Sequence, residues 1–196
     1  MHRSLYQAGG GLHHPIERLR ITLLLARMLR AARMDGSLYV ELRNDPIALA
    51  QGLIVLALAS IATAVGIALS EIFSGRGEIV GGIVQGLAIV PGMWAVQTAS
   101  ALFLGSISGE PGVERPSRLS LLAALCYSSA PGLLLVLVSI PLFGAVLALM
   151  VTLLMVMSMA VAVQGTMDVS LMRGIIAVAP GFLISRFLFL WRAGPS

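Results

Sequence analysis

Apolar residues in this chain come in long uninterrupted blocks, separated by short polar breaks. Residues 47–69 carry no charge, and Gln51 is their only strongly polar side chain. About 20 apolar residues in helical form cross a hydrocarbon core of roughly 30 Å, so this block predicts a first span over 47–69. After a short charged break at 70–78, residues 79–109 are again uncharged. As one straight helix they would reach about 45 Å, so the second span, placed at 80–104, must tilt, kink or protrude. Pro91-Gly92, near its middle, is the predicted kink.

The second half repeats the pattern. Glu110, Glu114, Arg115 and Arg118 crowd one loop, and no further charge appears from Leu119 to Met167. That stretch would make about 70 Å of helix, enough to cross the core twice. Ile140-Pro141 is the predicted turn, dividing it into spans at 119–139 and 142–163. The polar stretch 164–173 follows, with Asp168 and Arg173 read as a surface pair or a helix cap. A last apolar block, 174–191, contains Pro180-Gly181 and Arg186. It predicts a fifth span, with Arg186 snorkelling and Trp191-Arg192 as an interfacial anchor.

Ahead of the first span the rhythm is different. Residues 1–15 read as a polar, Gly-rich tail, and 16–45 as a basic amphipathic cytoplasmic segment. Ile21, Leu24, Leu25, Met28, Leu29 and Ala32 fall on one face of a helix, with Arg20, Arg27 and Arg30 expected to point away from it. Such a helix fits the headgroup layer, its Arg side chains on anionic lipid; docking on the protein's own bundle is the alternative. Residues 35–46 read as a polar hinge. Asp35-Gly36 is its turn, and Asp45 caps the helix that Pro46 opens. The fold class expected is an all-α polytopic membrane protein, with five transmembrane helices (a 46–192 membrane domain) behind a basic N-terminal helix.

Composition supports the membrane and sets an orientation. Hydrophobic residues make up 58% of the 196-residue chain and charged residues 11%. A soluble domain carries about 25% charged residues, so this surface must face lipid or partner protein. Arg3, Arg18, Arg20, Arg27, Arg30, Arg33 and Arg43 precede the first span. Arg resists translocation, which places the N-terminus in the cytoplasm and, after five spans, the C-terminus outside the cell membrane. All 13 basic residues are Arg. With abundant Ala, Gly, Val and Leu, this points to a GC-rich, bacterial source. No cleavable signal peptide is expected, because the first apolar run, 21–26, is short and Arg27 follows at once. A net charge of +4 is small for a nucleic-acid binder. The partners expected are the bilayer, other membrane proteins or a second copy of the chain, and no nucleic acid.

The residues offer little to catalysis. His2, His13 and His14 all lie in the tail, so no span holds a base for a nucleophile, and no metal site or cofactor is expected. Gly105-Ser106-Ile107-Ser108-Gly109 has Ile107 where a nucleophile elbow needs Ser. The first four spans bury no carboxylate, which argues against a proton-coupled transporter. Cys126, the single cysteine, cannot form an intrachain disulfide and reads as a small packing residue. Gln51, Gln85, Gln97, Thr98, Ser128, Ser129, Ser139, Thr152 and Ser158 are expected to hydrogen-bond between helices, and Gly82-x-x-x-Gly86 to bring two helices close. The function expected is a non-enzymatic membrane protein organising lipid or partner proteins. The alternative is a small-solute permease along Gln85, Gln97 and the Pro91-Gly92 break, which requires a wet polar cavity.

The order of these features carries a resemblance. Met34-Asp35 and Asp45-Pro46 lead into two spans and a short charged loop. Tyr127-Ser128-Ser129-Ala130-Pro131-Gly132 then opens a third span, and Ile140-Pro141 turns it back. From about Ala31 to Arg192 the chain resembles the Yip1 domain family of multi-pass membrane proteins, whose third span carries a similar Tyr-Ser-x-x-Pro stretch. The resemblance implies a five-helix bundle with a cytoplasmic N-terminus. Eukaryotic members are linked to Rab GTPases, a role that the short, basic lead-in of this chain does not carry over. Cys126 stands where a small residue often precedes the Tyr. Tyr127, Ser128, Pro131 and Gly132 thereby join Pro91 and Gly92 as hinge or kink positions. Arg118, close by at the interface, joins Arg20, Arg27 and Arg30 as a lipid or partner contact.

Overall fold

The computed structural model describes residues 21–75, 77–107, 117–140 and 142–193, and among them only helices and their connections occur. Arg20, the three His residues, Glu110, Glu114, Arg115 and Pro141 lie outside the described residues, as do the side chains of Arg186, Trp191 and Arg192.

Helix α1 (Ile21–Ala32) is followed by a short α2 (Gly36–Leu42), where the polar pattern predicts a hinge. Asp35 does not simply turn the chain. Its carboxylate accepts a hydrogen bond from Ser37 N at 3.0 Å and so caps α2. Leu38, Tyr39 and Leu42, three residues on one face, are buried and hold this helix of about two turns in place. A period-3.6 signal needs more than seven residues to stand out from its polar neighbours, which is why the hinge reading misses it.

Helix α3 (Ala48–Ser74) starts two residues later than Pro46: Ile47 is its N-cap and makes no side-chain cap bond, while Asp45 Oδ1 accepts from Ile47 N at 3.0 Å in the turn just ahead. It runs past Leu69 to a left-handed Gly75. Its buried face repeats every three to four residues and is built from small side chains, Gly52, Ala59, Ser60, Thr63 and Ala64 among them. Helix α4 (Ile79–Ile107) continues unbroken through Pro91. Gly86 seats α4 on α3, because a Cβ at that position would collide with the Ala64 backbone. Hydroxyls expected to bond across helices mostly turn back on their own. Thr152 donates to Ala148 O at 2.6 Å, Ser128 to Leu125 O at 2.6 Å, and Ser139 to Val136 O at 3.0 Å. Ser158 does cross between elements, and so does Ser100, which the sequence did not single out.

The third apolar block is two helices in series. Helix α5 (Arg118–Tyr127), capped by Ser117, ends at the Tyr127-Ser128-Ser129 stretch, and a 3-10 helix, η1 (Ala130–Ser139), continues it. Pro131 has no N–H to give, and the chain re-winds at that point, with Gly132 N donating to Ser129 O at 2.8 Å. A 3-10 helix rises about 2.0 Å per residue against 1.5 Å for an α-helix, so η1 gains roughly 5 Å of reach over ten α-helical residues. After the turn, α6 (Gly144–Met167) runs back, and Asp168 ends it in the left-handed C-cap conformation. Helix α7 (Leu171–Ala193) contains Pro180.

The packing closes a ring: α3 lies against α4 and against α5–η1, α6 against η1 and α5, and α7 against both α4 and α6. Helix α2 sits across the end of the ring on α6 and α5. Four elements, namely α3, α4, α5 with η1, and α6, are long and apolar enough to cross a membrane. The described apolar part of α7, Leu171–Ser185, is shorter. Large apolar side chains on the outer surface, such as Val80, Leu149 and Leu153, are exposed to the surroundings of the bundle.

Candidate functional site

The strongest concentration of polar chemistry lies where α1 and α2 meet the bundle. Arg27 is 5% exposed, the one buried cation among the described residues. Its Nη2 donates to Glu41 Oε1 at 2.7 Å and its Nε to the same oxygen at 3.2 Å. Its Nη1 pairs with Asp45 Oδ2 at 2.6 Å and donates to Gln51 Oε1 at 2.7 Å. Tyr127, from the end of α5, donates its hydroxyl to the same Gln51 oxygen at 2.8 Å. One guanidinium thus joins α1, α2, the α3 cap, the first turn of α3 and, through Gln51, the break in the third block.

A second layer faces solvent. Arg30 donates to Asp35 Oδ2 at 2.8 Å, to Glu41 Oε2 at 2.7 Å and to Ser37 Oγ at 3.1 Å. Deeper in, Tyr39 OH pairs with Ser158 Oγ at 3.1 Å. Arg43 Nη2 donates to Gly165 O at 2.9 Å near the end of α6, where a cation is favoured by the helix dipole. Ser120 Oγ donates to Arg43 O at 2.9 Å.

The electrostatics follow from this arrangement. Burial works to strip Arg27 of its charge. The hydrogen bonds of Glu41 and Asp45, with the Asp45 charge, outweigh it and hold the guanidinium above its ordinary value. Bonds from Arg30 and Arg27 keep the Glu41 carboxyl below its usual range. The Ser37 hydroxyl and Arg30 hold Asp35 down at about 2. Burial pushes Tyr39 up to about 12, so it serves as a neutral hydrogen-bonding group.

The periodicity places Arg27 on the outer polar face; the structure corrects this. The buried side of α1 is Leu24, Arg27, Met28 and Ala31, and the exposed side is Ile21, Leu25 and Leu29. The helix is rotated because Glu41 and Asp45 supply an inward anchor that the apolar pattern of α1 cannot reveal. Arg30 stays at the surface, its side chain 34% exposed, and Arg118 is exposed at the start of α5. Tyr127, Ser128, Pro131 and Gly132 are all buried at the α5–η1 break, whereas Gly92 is exposed on the unbroken α4. Glu41 and the ionic role of Asp45 are absent from the sequence reading. Their spacing, four residues apart across from a helix with Arg27, was the available signal.

One cavity of about 210 Å³ lies inside the ring, lined by α3, α4, η1 and α6. Val90, Trp94, Leu135, Val138 and Met155 give it an apolar wall, with Thr63, Gln97 and Thr152 its polar members. Gln85 is exposed on the outside of α4, and of Gln85, Gln97 and Pro91 only Gln97 lines this cavity. Among the described residues no group of three His, Cys, Asp or Glu side chains could hold a metal ion. No family model, no curated protein and no solved structure matches this chain.

Proposed function

We propose that this is a non-enzymatic multi-pass protein of the cell membrane, of the Yip1-like type and bacterial origin, that gathers anionic lipid or a partner protein at its cytoplasmic face. The observation that carries the reading is the outer side of α1. Ile21, Leu25 and Leu29, at four-residue spacing, are 74%, 56% and 51% exposed, while the opposite side of the helix is clamped to the bundle through Arg27. A row of this kind costs free energy in water and gains it in the acyl boundary of a bilayer. Arg33 and Arg118 are exposed cations not used in the Arg27 cluster, and Arg30, three residues before Arg33, is partly exposed. Each basic group near an anionic surface adds about 1 kcal/mol of attraction. In this reading α1 lies in the headgroup layer and is docked on the bundle at the same time. The two sequence alternatives describe two sides of one helix. The Arg excess before α3 sets the N-terminus inside, and α7 is the fifth span.

The test is retention of phosphatidylglycerol by the purified full chain during detergent washing, counted by native mass spectrometry against phosphatidylcholine. Arg33→Glu with Arg118→Glu is expected to lower the bound phosphatidylglycerol severalfold and leave phosphatidylcholine unchanged. Equal phosphatidylglycerol retention in the variant and the parent ends the proposal.

A further inference from the structure

We propose that the cavity inside the ring is a binding site for an uncharged lipid whose polar end is a hydroxyl, such as a long-chain alcohol, held by Gln97. The cavity is larger than the roughly 150 Å³ apolar cavity that stays dry and accepts a benzene-sized guest. Its position excludes a charged headgroup. Thr63, Gln97 and Thr152 all fall in the middle third of their helices, far from either interface, and no charged residue lines the cavity. A phosphate or carboxylate placed there would have no counter-ion.

Gln97 supplies the specific feature. It lines the cavity, is 3% exposed, and its amide makes no hydrogen bond to any described residue. The indole N–H of Trp94, one helical turn earlier, is also buried without a partner. The hydroxyls of Thr63 and Thr152 are committed to backbone carbonyls of their own helices and cannot serve Gln97 as donors. A primary amide both donates and accepts, so the group that completes it must do both as well. A hydroxyl does so without charge. An alkane does neither. The remaining lining, Val90, Leu135, Val138 and Met155 among it, suits an alkyl or isoprenoid chain.

Trp94 lines the cavity and Trp191 is the only other tryptophan, so the Trp191→Phe chain reports on the cavity alone. In this background, purified and reconstituted in phosphatidylcholine nanodiscs, dibrominated oleyl alcohol is titrated and tryptophan quenching recorded. The matching dibrominated alkane serves as control. Saturable quenching is expected for the alcohol, with the alkane binding at least about tenfold more weakly. Gln97→Leu is expected to remove that preference and bring the alcohol to the level of the alkane. Ala148→Phe, which fills the cavity from α6, is expected to abolish saturable quenching of either probe, and it decides the matter if Gln97→Leu does not fold. Quenching that rises linearly with probe content, or an alcohol preference that survives Gln97→Leu, overturns the proposal. The site stands apart from the lipid contacts of α1: the Arg33→Glu, Arg118→Glu chain keeps its quenching curve whichever way its phosphatidylglycerol retention turns out.

Discussion

Arg27 shows how far one side chain can reset the placement of a helix. All of its donor nitrogens have acceptors, and Glu41 and Asp45 are its ionic partners, the first 42% and the second 17% exposed as side chains. Removing the cation takes the Arg27 partner from both carboxylates and leaves Glu41 with Arg30 alone. Arg27→Ala is therefore expected to cost about 3 kcal/mol of stability in detergent, measured by unfolding of the purified chain. Arg27→Lys should recover only part of that, because a point charge cannot reproduce the fork. Arg30→Ala, at a half-open surface, should stay within about 1 kcal/mol. A smaller loss for Arg27→Ala than for Arg30→Ala contradicts the clamp. Acid acts on the same groups. Glu41 and Asp35 both have folded pKa values below their unfolded values near 4, Asp35 at about 2, so their contribution is complete above about pH 4 and is lost as pH falls through the folded values. Melting temperatures should be level from pH 7 to 5 and fall below about 4.5. Glu41→Gln should lie lower at pH 7 and fall less steeply; parallel curves for the two chains refute the assignment. The sequence marks Arg27 as cationic and helical but gives no phase. Leu19 and Leu23 dilute the polar side, and only the tertiary partners Glu41 and Asp45 decide which side faces in.

At the scale of elements, the apolar blocks were legible because a charge-free run of 20 or more residues has few other physical solutions. Helices α3, α4 and α6 and the α5–η1 pair each fall on such a block, with ends shifted by a few residues. The ends drift because a terminal Ser or Glu, as in the last turn of α3, costs little where a side chain reaches polar surroundings. What composition cannot show is which small residues meet. Gly52 faces the third block so closely that a Cβ there would stand 2.8 Å from Cys126 Cβ and 3.0 Å from Ala123 O. This contact explains a small residue at Cys126 and brings Gln51 next to Tyr127. Gly52→Val is expected to destabilise the chain by about 1–3 kcal/mol through overpacking. Gly52→Ala combined with Cys126→Gly should be more stable than the two single changes predict by addition, because one clash is relieved. Strict additivity in that double-mutant cycle shows that the two positions do not touch. The α5–η1 break was legible from Pro131 and the serines before it, while the length of the 3-10 segment was not. Its tighter winding carries no side-chain pattern of its own.

For the whole molecule the open quantity is the number of crossings, and α7 decides it. The helix holds 23 residues, about 35 Å at 1.5 Å per residue, enough to span a hydrocarbon core. Its packing favours crossing. Gly181 lies against the backbone of Gln97 in α4, Gly174 against Ala160 in α6, and Ser100 donates to Ala177 O at 2.8 Å. A helix lying along the surface would touch the ends of α4 and α6, whereas these contacts fall well inside both. Pro180 does not weigh against this, since a proline within a span is tolerated where neighbouring helices cover the freed backbone. Reporter fusions after Gly75 and at Ser196, one active only in the cytoplasm and one only outside, test the count. With five crossings both sites report outside. A cytoplasmic Ser196 with an external Gly75 leaves four crossings and sets α7 on the inner surface. The ring then closes against headgroups rather than acyl chains, and the Yip1-like reading proposed above loses its fifth span.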